Sequence, residues 1–408
     1  MILEPIIKII NLFHPLLVKG STVKVSRLDF VMRLSLVDPP KVYLSADLGS
    51  SASKFFYRLQ SGQTAPIWMA AEVVEGLTSA ILNGFNAGGR PQDNAWLEVD
   101  GNVVMVGEAA KAFLESNSLS ANKAEKAVYK LAAVLGAIAE LEQLPSRYEA
   151  TIWLSLPLAE IKTRHEIAEK LQSLCQRGFT FRGKAQQPVV TLKCFPEGFG
   201  LYLHRKQQLE RAGEKIDLRP TSIVMMGHRN LSILSFENGS LNLAGSASDG
   251  PGFWPIFEKA ARSAGMTAPD YPALLRALSS GDAQQISTAR ARVFDFSAAM
   301  TAVQSAYGQM VTVYLRDNLL GRVLEGSVDI LISGGAFPMI RPQLEGFFEE
   351  IHCWERVMFT EGDDDTLTDV VKELPESYPL STLSLRMMDG YGLFLGLIGK
   401  LPSTAASR

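Results

Sequence analysis

VYLSADLGSSASKFFYRL, residues 42–59, is the stretch whose reading decides the fold. Two runs of strand-forming residues, VYLSADL (42–48) and KFFYRL (54–59), flank the small-residue segment GSSAS (49–53). That pattern predicts a strand–turn–strand hairpin. A turn of Gly49, Ser50 and Ser51 leaves backbone N–H groups free to point at an anion, and the two hydroxyls add donors. Asp47, at the end of the first strand, could hold magnesium directly or through water, because magnesium takes oxygen ligands and keeps part of its hydration shell. Lys54 supplies a positive charge at the start of the second run. The same residues also suit an ordinary serine-rich hairpin, and both readings stand at this point.

Working outward, APIWM (65–69) predicts a third strand, and WLEV (96–99) with NVVMV (102–106) a hairpin turning at Asp100-Gly101. Helical patterns follow over 107–114 and 122–144, the second with an apolar stripe from Val128 to Leu141. The strand ATIWLSLPL (150–158), a helix over 159–175, strands over 178–182 and 188–195 and a helix over 198–212 complete a first half. After a polar link (213–220) the plan restarts with three strands over 221–227, 230–236 and 240–246. Helices are expected from 251 to 322, then the apolar strand SVDILIS (327–333), a Gly334-Gly335 turn and a helix from about Phe337. Each half is a β-meander, a crossover to a further strand and surrounding helices. A duplicated α/β arrangement of this kind binds its ligand in the cleft between the halves.

Bulk properties narrow the function classes. The chain has 408 residues, long enough for two domains. A formal net charge of -3 argues against direct nucleic-acid binding by a broad basic surface. Cys175, Cys194 and Cys353 are far apart and odd in number, as expected in a reducing, cytoplasmic compartment. The five histidines show no metal-ligand spacing. Residues 2–18 are apolar but broken by charged residues and prolines, so they read neither as a membrane span nor as a signal peptide. A helix packed on the body is the preferred reading, with membrane or partner contact as the alternative.

Two more segments could contact a ligand. In Ser333-Gly334-Gly335-Ala336, paired glycines after a buried strand permit close approach of a phosphate or flat group, although a tight strand-to-helix turn needs them too. In Phe195-Pro196-Glu197-Gly198, the carboxylate could orient a water toward a phosphoryl group, or simply cap a helix.

Taken in order, these segments resemble the actin-like ATPase superfamily, and its ParM/StbA-type plasmid-segregation branch in particular. Asp47–Lys54 looks like the first phosphate loop, Thr151–Glu160 the strand ending in Leu-Pro-Leu, and Pro196-Glu197 the element carrying the water-orienting glutamate. Ile223–Ser232 takes the place of the second phosphate loop, Ile330–Ala336 that of the adenosine-binding glycines, and Gly245–Gly252 that of the approach to the nucleotide. Met388–Gly399 resembles the closing helix that returns to the first domain. The likeness covers about residues 41–400. It implies a duplicated, ribonuclease H-like two-domain α/β fold: an extension over 1–40, domain I over 41–215 closed by a helix over 385–402, and domain II over 216–384. It also implies ATP, with GTP as the alternative nucleotide, and Mg2+, bound by Asp47, Gly49, Ser50, Ser51, Lys54, Gly227, Arg229, Asn230, Gly252, Ser333, Gly334, Gly335 and Ala336. Asp47 would hold the metal and Glu197 would orient water. Self-association into filaments and a DNA-binding adaptor are the implied partners.

One departure matters. The family's second loop has an acid where this chain has Met225, followed by Met226-Gly227-His228-Arg229-Asn230. Nucleotide binding remains compatible with that run, since a guanidinium matches phosphate geometry. Fast hydrolysis is put in question, so a non-hydrolysing scaffold is the competing expectation. A sugar or acetate kinase of the same superfold would need a substrate base that the sequence does not offer.

Overall fold

The computed structural model describes residues 38–84, 88–113, 126–325, 328–360, 365–374 and 380–401. The segment 2–18 and the acidic pair Asp363-Asp364 lie outside the described residues.

The decisive hairpin forms as expected: β1 (Lys41–Leu48) pairs antiparallel with β2 (Ala52–Leu59), placing Asp47 opposite Lys54. Strand β3 (Ala65–Ala70) extends this meander. Next come β4 (Val73–Leu77), β5 (Ala95–Val99) and β6 (Asn102–Val106), then α1 (Glu108–Lys111), a single turn where a longer helix was expected. Helix α2 (Ala127–Leu141) is buried on nearly all sides, which suits its almost uniformly apolar sequence. It crosses over to β7 (Glu149–Leu156), which lies parallel to β1. Helix α3 (Arg164–Arg177) leads to β8 (Phe179–Phe181) and β9 (Lys184–Gln186), then to β10 (Val189–Pro196), parallel to β7. The main sheet therefore runs β10-β7-β1-β2-β3, and a side sheet runs β4-β6-β5-β8-β9.

Helix α4 (Phe199–Arg211) leads to the second half. There β11 (Thr221–Met226), β12 (Asn230–Glu237) and β13 (Ser240–Pro251) form the meander, followed by α5 (Phe253–Ser263) and α6 (Tyr271–Ser280). The hairpin β14 (Gln284–Ser287) and β15 (Arg292–Asp295) interrupts a stretch that the sequence predicts to be dominated by helices. The long α7 (Ser297–Glu325), β16 (Asp329–Ser333), α8 (Arg341–Glu350), β17 (Val357–Phe359) and α9 (Asp365–Val371) follow. The second sheet runs β13-β12-β11-β16-β17, the order of the first sheet read from the other edge. Each half thus has an antiparallel meander joined to two parallel strands, the duplication expected of the two-domain α/β fold.

Helix α10 (Leu380–Ile398) begins earlier than expected and belongs to the interior of the molecule. Its Met387, Met388, Tyr391 and Phe394 share one core with Phe56, Leu201 and Tyr202 of the first half and Ile223, Leu234 and Phe236 of the second. Tyr202 stacks on Phe236 with centroids 3.9 Å apart, joining α4 to β12. Each such large side chain, fully buried, contributes about 1.5–3 kcal/mol. The α4–α10 crossing depends on glycine: a Cβ on Gly200 would lie 1.8 Å from the Asp389 carbonyl oxygen. No helix among the described residues is long and apolar enough to cross a membrane.

Candidate functional site

The parallel strands set the first edge of the site. Asp47 on β1 and Phe195 on β10 both stand beside Ser155 of β7, so Asp47 and Glu197 leave the first sheet together at the carboxyl ends of its strands. Ligands of open α/β sheets bind at that edge. Asp47 is 5% exposed and forms an ion pair with Lys54, its cross-strand neighbour. Lys54 Nζ also donates to the Arg386 carbonyl at 3.2 Å. The Glu197 N–H donates to the Leu156 carbonyl at 2.7 Å, which prolongs the ladder by one residue and fixes the backbone at the glutamate.

Just beyond Glu197, the chain turns through Gly198, the N-cap of α4, at φ 96°. The cap is supplied from far away in sequence. Asp389 of α10 accepts the N–H of Gly198 at 2.9 Å and the N–H of Leu201 at 3.2 Å. Burial pushes the Asp389 carboxyl up to about 7; the nearby Asp47 and Glu197 carboxylates push the same way, and the two backbone donors oppose them. Three acids, Asp47, Glu197 and Asp389, are thus electrostatic neighbours.

In the second half, Met225 on β11 stands beside Ser333 on β16 at the corresponding edge. Met225 covers Gly198, its Cγ 3.1 Å from where a Cβ on that glycine would sit. Met225 is therefore an apolar contact between the halves. The turn after it is closed by the Gly227 N–H donating to the Asn230 carbonyl at 3.0 Å. It is pinned to α5 by the N–H groups of Phe253 and Trp254, which donate to the carbonyls of Gly227 and His228 at 3.2 and 2.9 Å.

Two of the expected ligand residues also have structural tasks here. The Asn230 amide donates to Ser232 Oγ at 3.3 Å and to the Ser248 carbonyl at 3.2 Å, so it braces the turn. Gly252 is needed because a Cβ there would lie 2.1 Å from the Arg229 carbonyl. Arg229 itself is exposed. His228 stacks on Trp254 with centroids 5.1 Å apart. Burial, with the charges of Arg386 and Arg229 acting in the same direction, lowers its imidazole to about 4, so it is neutral at pH 7.

The glycine turn after β16 closes the circle. Gly334 has φ 106°, and a Cβ on it would lie 2.3 Å from the Met226 carbonyl, so the turn nests on the end of β11. Ser333 and Ala336 are buried, whereas Gly335 is exposed. A Cβ on Gly335 would sit 3.3 Å from Arg386 Cγ. Arg386 also donates from Nη2 to Ser51 Oγ at 3.0 Å and lies over the Trp68 ring, 4.6 Å from its centroid. The first turn and the glycine turn therefore meet at one side chain of α10, whose charge is also felt at His228 in the second turn.

The sequence reading missed Arg386 and Asp389. A signal was present: they are the only charged residues in LSTLSLRMMDGYGLFLGLI (380–398), and their three-residue spacing puts them on one helix face.

Comparison with known proteins agrees with this geometry. The family described as actin like proteins N terminal domain matches residues 45–200. The chain has the actin-like fold. Among solved structures, the chain is similar to an archaeal actin homologue at 16% identity, covering 88% of this chain and 100% of that one with a TM-score of 0.59. The same homologue in complex with ADP gives 15% identity, the same coverages and 0.55. Bacillus thuringiensis ParM with AMPPNP gives 11% identity, 88% and 99% coverage and 0.57. The Alp12 filament structure gives 13%, 88% and 99%, and 0.54. At these identities the likeness is one of fold. No curated protein matches the chain by sequence.

The residues present suit a magnesium nucleotide. Lys54 and Arg386 supply cationic donors, Ser50 and Ser51 supply hydroxyls, and Asp47 and Glu197 supply oxygen acceptors beside them. Among the described residues no group of three or more His, Cys, Asp or Glu side chains could hold a metal alone. A metal here would therefore be shared between Asp47 and phosphate oxygens, as magnesium accepts readily.

Proposed function

We propose that this actin-like protein binds magnesium-ATP between its two halves and assembles with copies of itself into filaments. The observation that carries the reading is the convergence of the Asp47–Lys54 turn, Glu197 and the Gly334-Gly335 turn at the carboxyl ends of equivalent strands, around Arg386. The nucleotide complexes of the archaeal homologue and of Bacillus thuringiensis ParM support the ligand class, and the Alp12 filament supports self-association. A filament needs a head-to-tail contact between unlike faces. The β14–β15 hairpin offers an apolar surface for one: its cross-strand partners Ile286 and Val293 are 65% and 58% exposed. The DNA-segregation role implied by the ParM resemblance, with an adaptor protein linking filament to cargo, belongs to the same proposal, as does the preference for ATP over GTP.

The bound nucleotide would supply the phosphoric anhydride to be cleaved. The protein's part is positioning. Lys54 holds Asp47 in place, Ser50 and Ser51 offer donors to phosphate oxygens, and Glu197 accepts a hydrogen bond from the attacking water and so aligns it. Asp389 fixes the backbone beside that glutamate by capping α4. A second reading, filaments without turnover, is favoured by one observation: Met225 presents a thioether packed on Gly198 where an acid would help order water.

Calorimetry with Gly335→Trp tests the cleft. An indole there would collide with Arg386 and fill the space beside the glycine turn. Wild type should bind magnesium-ATP and the variant should not; equal binding by both would refute the assignment.

A further inference from the structure

Resting on the nucleotide-binding reading above, we infer that Arg386 is a phosphate-gripping residue, which leaves Ser51 and Trp68 for the nucleotide phosphates and so ties helix α10 to the ligand.

The helix backbone at this point is already fixed to the first turn, because the Arg386 carbonyl accepts Lys54 Nζ at 3.2 Å. One turn along, Ser45 Oγ donates to the Gly390 carbonyl at 2.8 Å and fastens the same helix to β1. The root of the Arg386 side chain therefore cannot drift, while its guanidinium reaches across the mouth of the cleft. Its methylenes pass Gly335 of the second half, and its tip meets Ser51 of the first.

The partners at the tip are informative. Two of them are the Ser51 hydroxyl, itself placed to donate to a phosphate, and the face of Trp68. Both are neutral groups. A guanidinium exchanges such contacts readily for a phosphate, whose oxygens match its planar fork and pair with it through charge-assisted hydrogen bonds. The field of Arg386 is also felt at His228, so the charge lies within reach of the second turn. A polyanion entering between the two turns would be met by Lys54, locked to Asp47, and by Arg386, whose side chain has the length to follow it. Such a residue senses phosphate rather than base, so it separates nucleotides from nucleosides.

The test measures binding, not turnover. Wild type, Arg386→Ala and Arg386→Lys are titrated calorimetrically with magnesium-ATP and with adenosine. Losing a charge-assisted contact to phosphate should weaken ATP binding by about tenfold or more, with adenosine affinity unchanged and the lysine variant intermediate. Tryptophan fluorescence gives an independent readout: ATP should change the emission of wild type, and the change should vanish in both Arg386→Ala and Trp68→Phe. If Arg386→Ala is poorly folded by thermal melting, Arg386→Gln keeps the length and serves in its place. Equal ATP affinity in wild type and variant would overturn the inference while leaving nucleotide binding intact. Parallel losses for ATP and adenosine would also overturn it, by making Arg386 a packing residue. Failure of wild type to bind ATP would instead bring down the reading on which it rests.

Discussion

Replacing Asp389 with asparagine should remove a specific pH dependence from the stability of this protein. Asp389 is 4% exposed, accepts two backbone N–H groups at the start of α4 and titrates near 7 in the fold instead of near 3.8. The folded state therefore binds the proton more tightly than the unfolded chain. The stability contributed by this group is fully present below about pH 4 and is lost as pH rises through 7. With one pKa unit worth about 1.36 kcal/mol, its contribution falls by roughly 2.5 kcal/mol between pH 5 and pH 7.5. Asparagine keeps the shape and one carbonyl acceptor but cannot titrate. Urea unfolding of wild type and Asp389→Asn across that range isolates the effect, because every other group titrates alike in both. The advantage of wild type should be greatest at pH 5 and should shrink by that amount by pH 7.5. A difference between the two proteins that stays flat over the range would refute the reasoning. It would mean that Asp389 is hydrated, or that it remains charged when buried.

Two further outcomes follow from the same geometry. Glu197→Ala should lower phosphate release by about a hundredfold, the usual scale for losing a positioned base, while ATP affinity by calorimetry stays close to wild type; unchanged release would remove Glu197 from the catalytic role. Gly200→Ala places a methyl group against the Asp389 carbonyl, and overpacking of that kind costs about 1–3 kcal/mol, so its urea midpoint should fall; an unchanged midpoint would show that the α4–α10 crossing is looser than described.

The parts legible in the sequence were those whose signal is local. The β1–β2 hairpin announced itself through two strand-forming runs and a turn of small residues, and the β16 turn through its paired glycines. The duplication was visible in the repeated meander. Other elements carry no such signal. β17 is three residues long, and β14–β15 pairs four-residue strands whose exposed Ile286 and Val293 break the usual inward alternation. The site was half legible. Asp47 and Glu197 reach one sheet edge through strands whose runs were visible, whereas the turn-bracing of Asn230 and Gly252 was not, because it depends on β13 and α5 arriving beside the turn. Arg386 and Asp389 act across 335 and 191 residues of chain, and no local pattern reports contacts of that span.

The most direct test of the central claim is light scattering of the protein on addition of magnesium-ATP, with pelleting and phosphate release followed in the same samples. The account predicts a nucleotide-dependent rise in scattering and sedimentable polymer, absent in buffer alone and with Gly335→Trp. Scattering that never rises at any nucleotide concentration, or that rises equally without nucleotide, would contradict it.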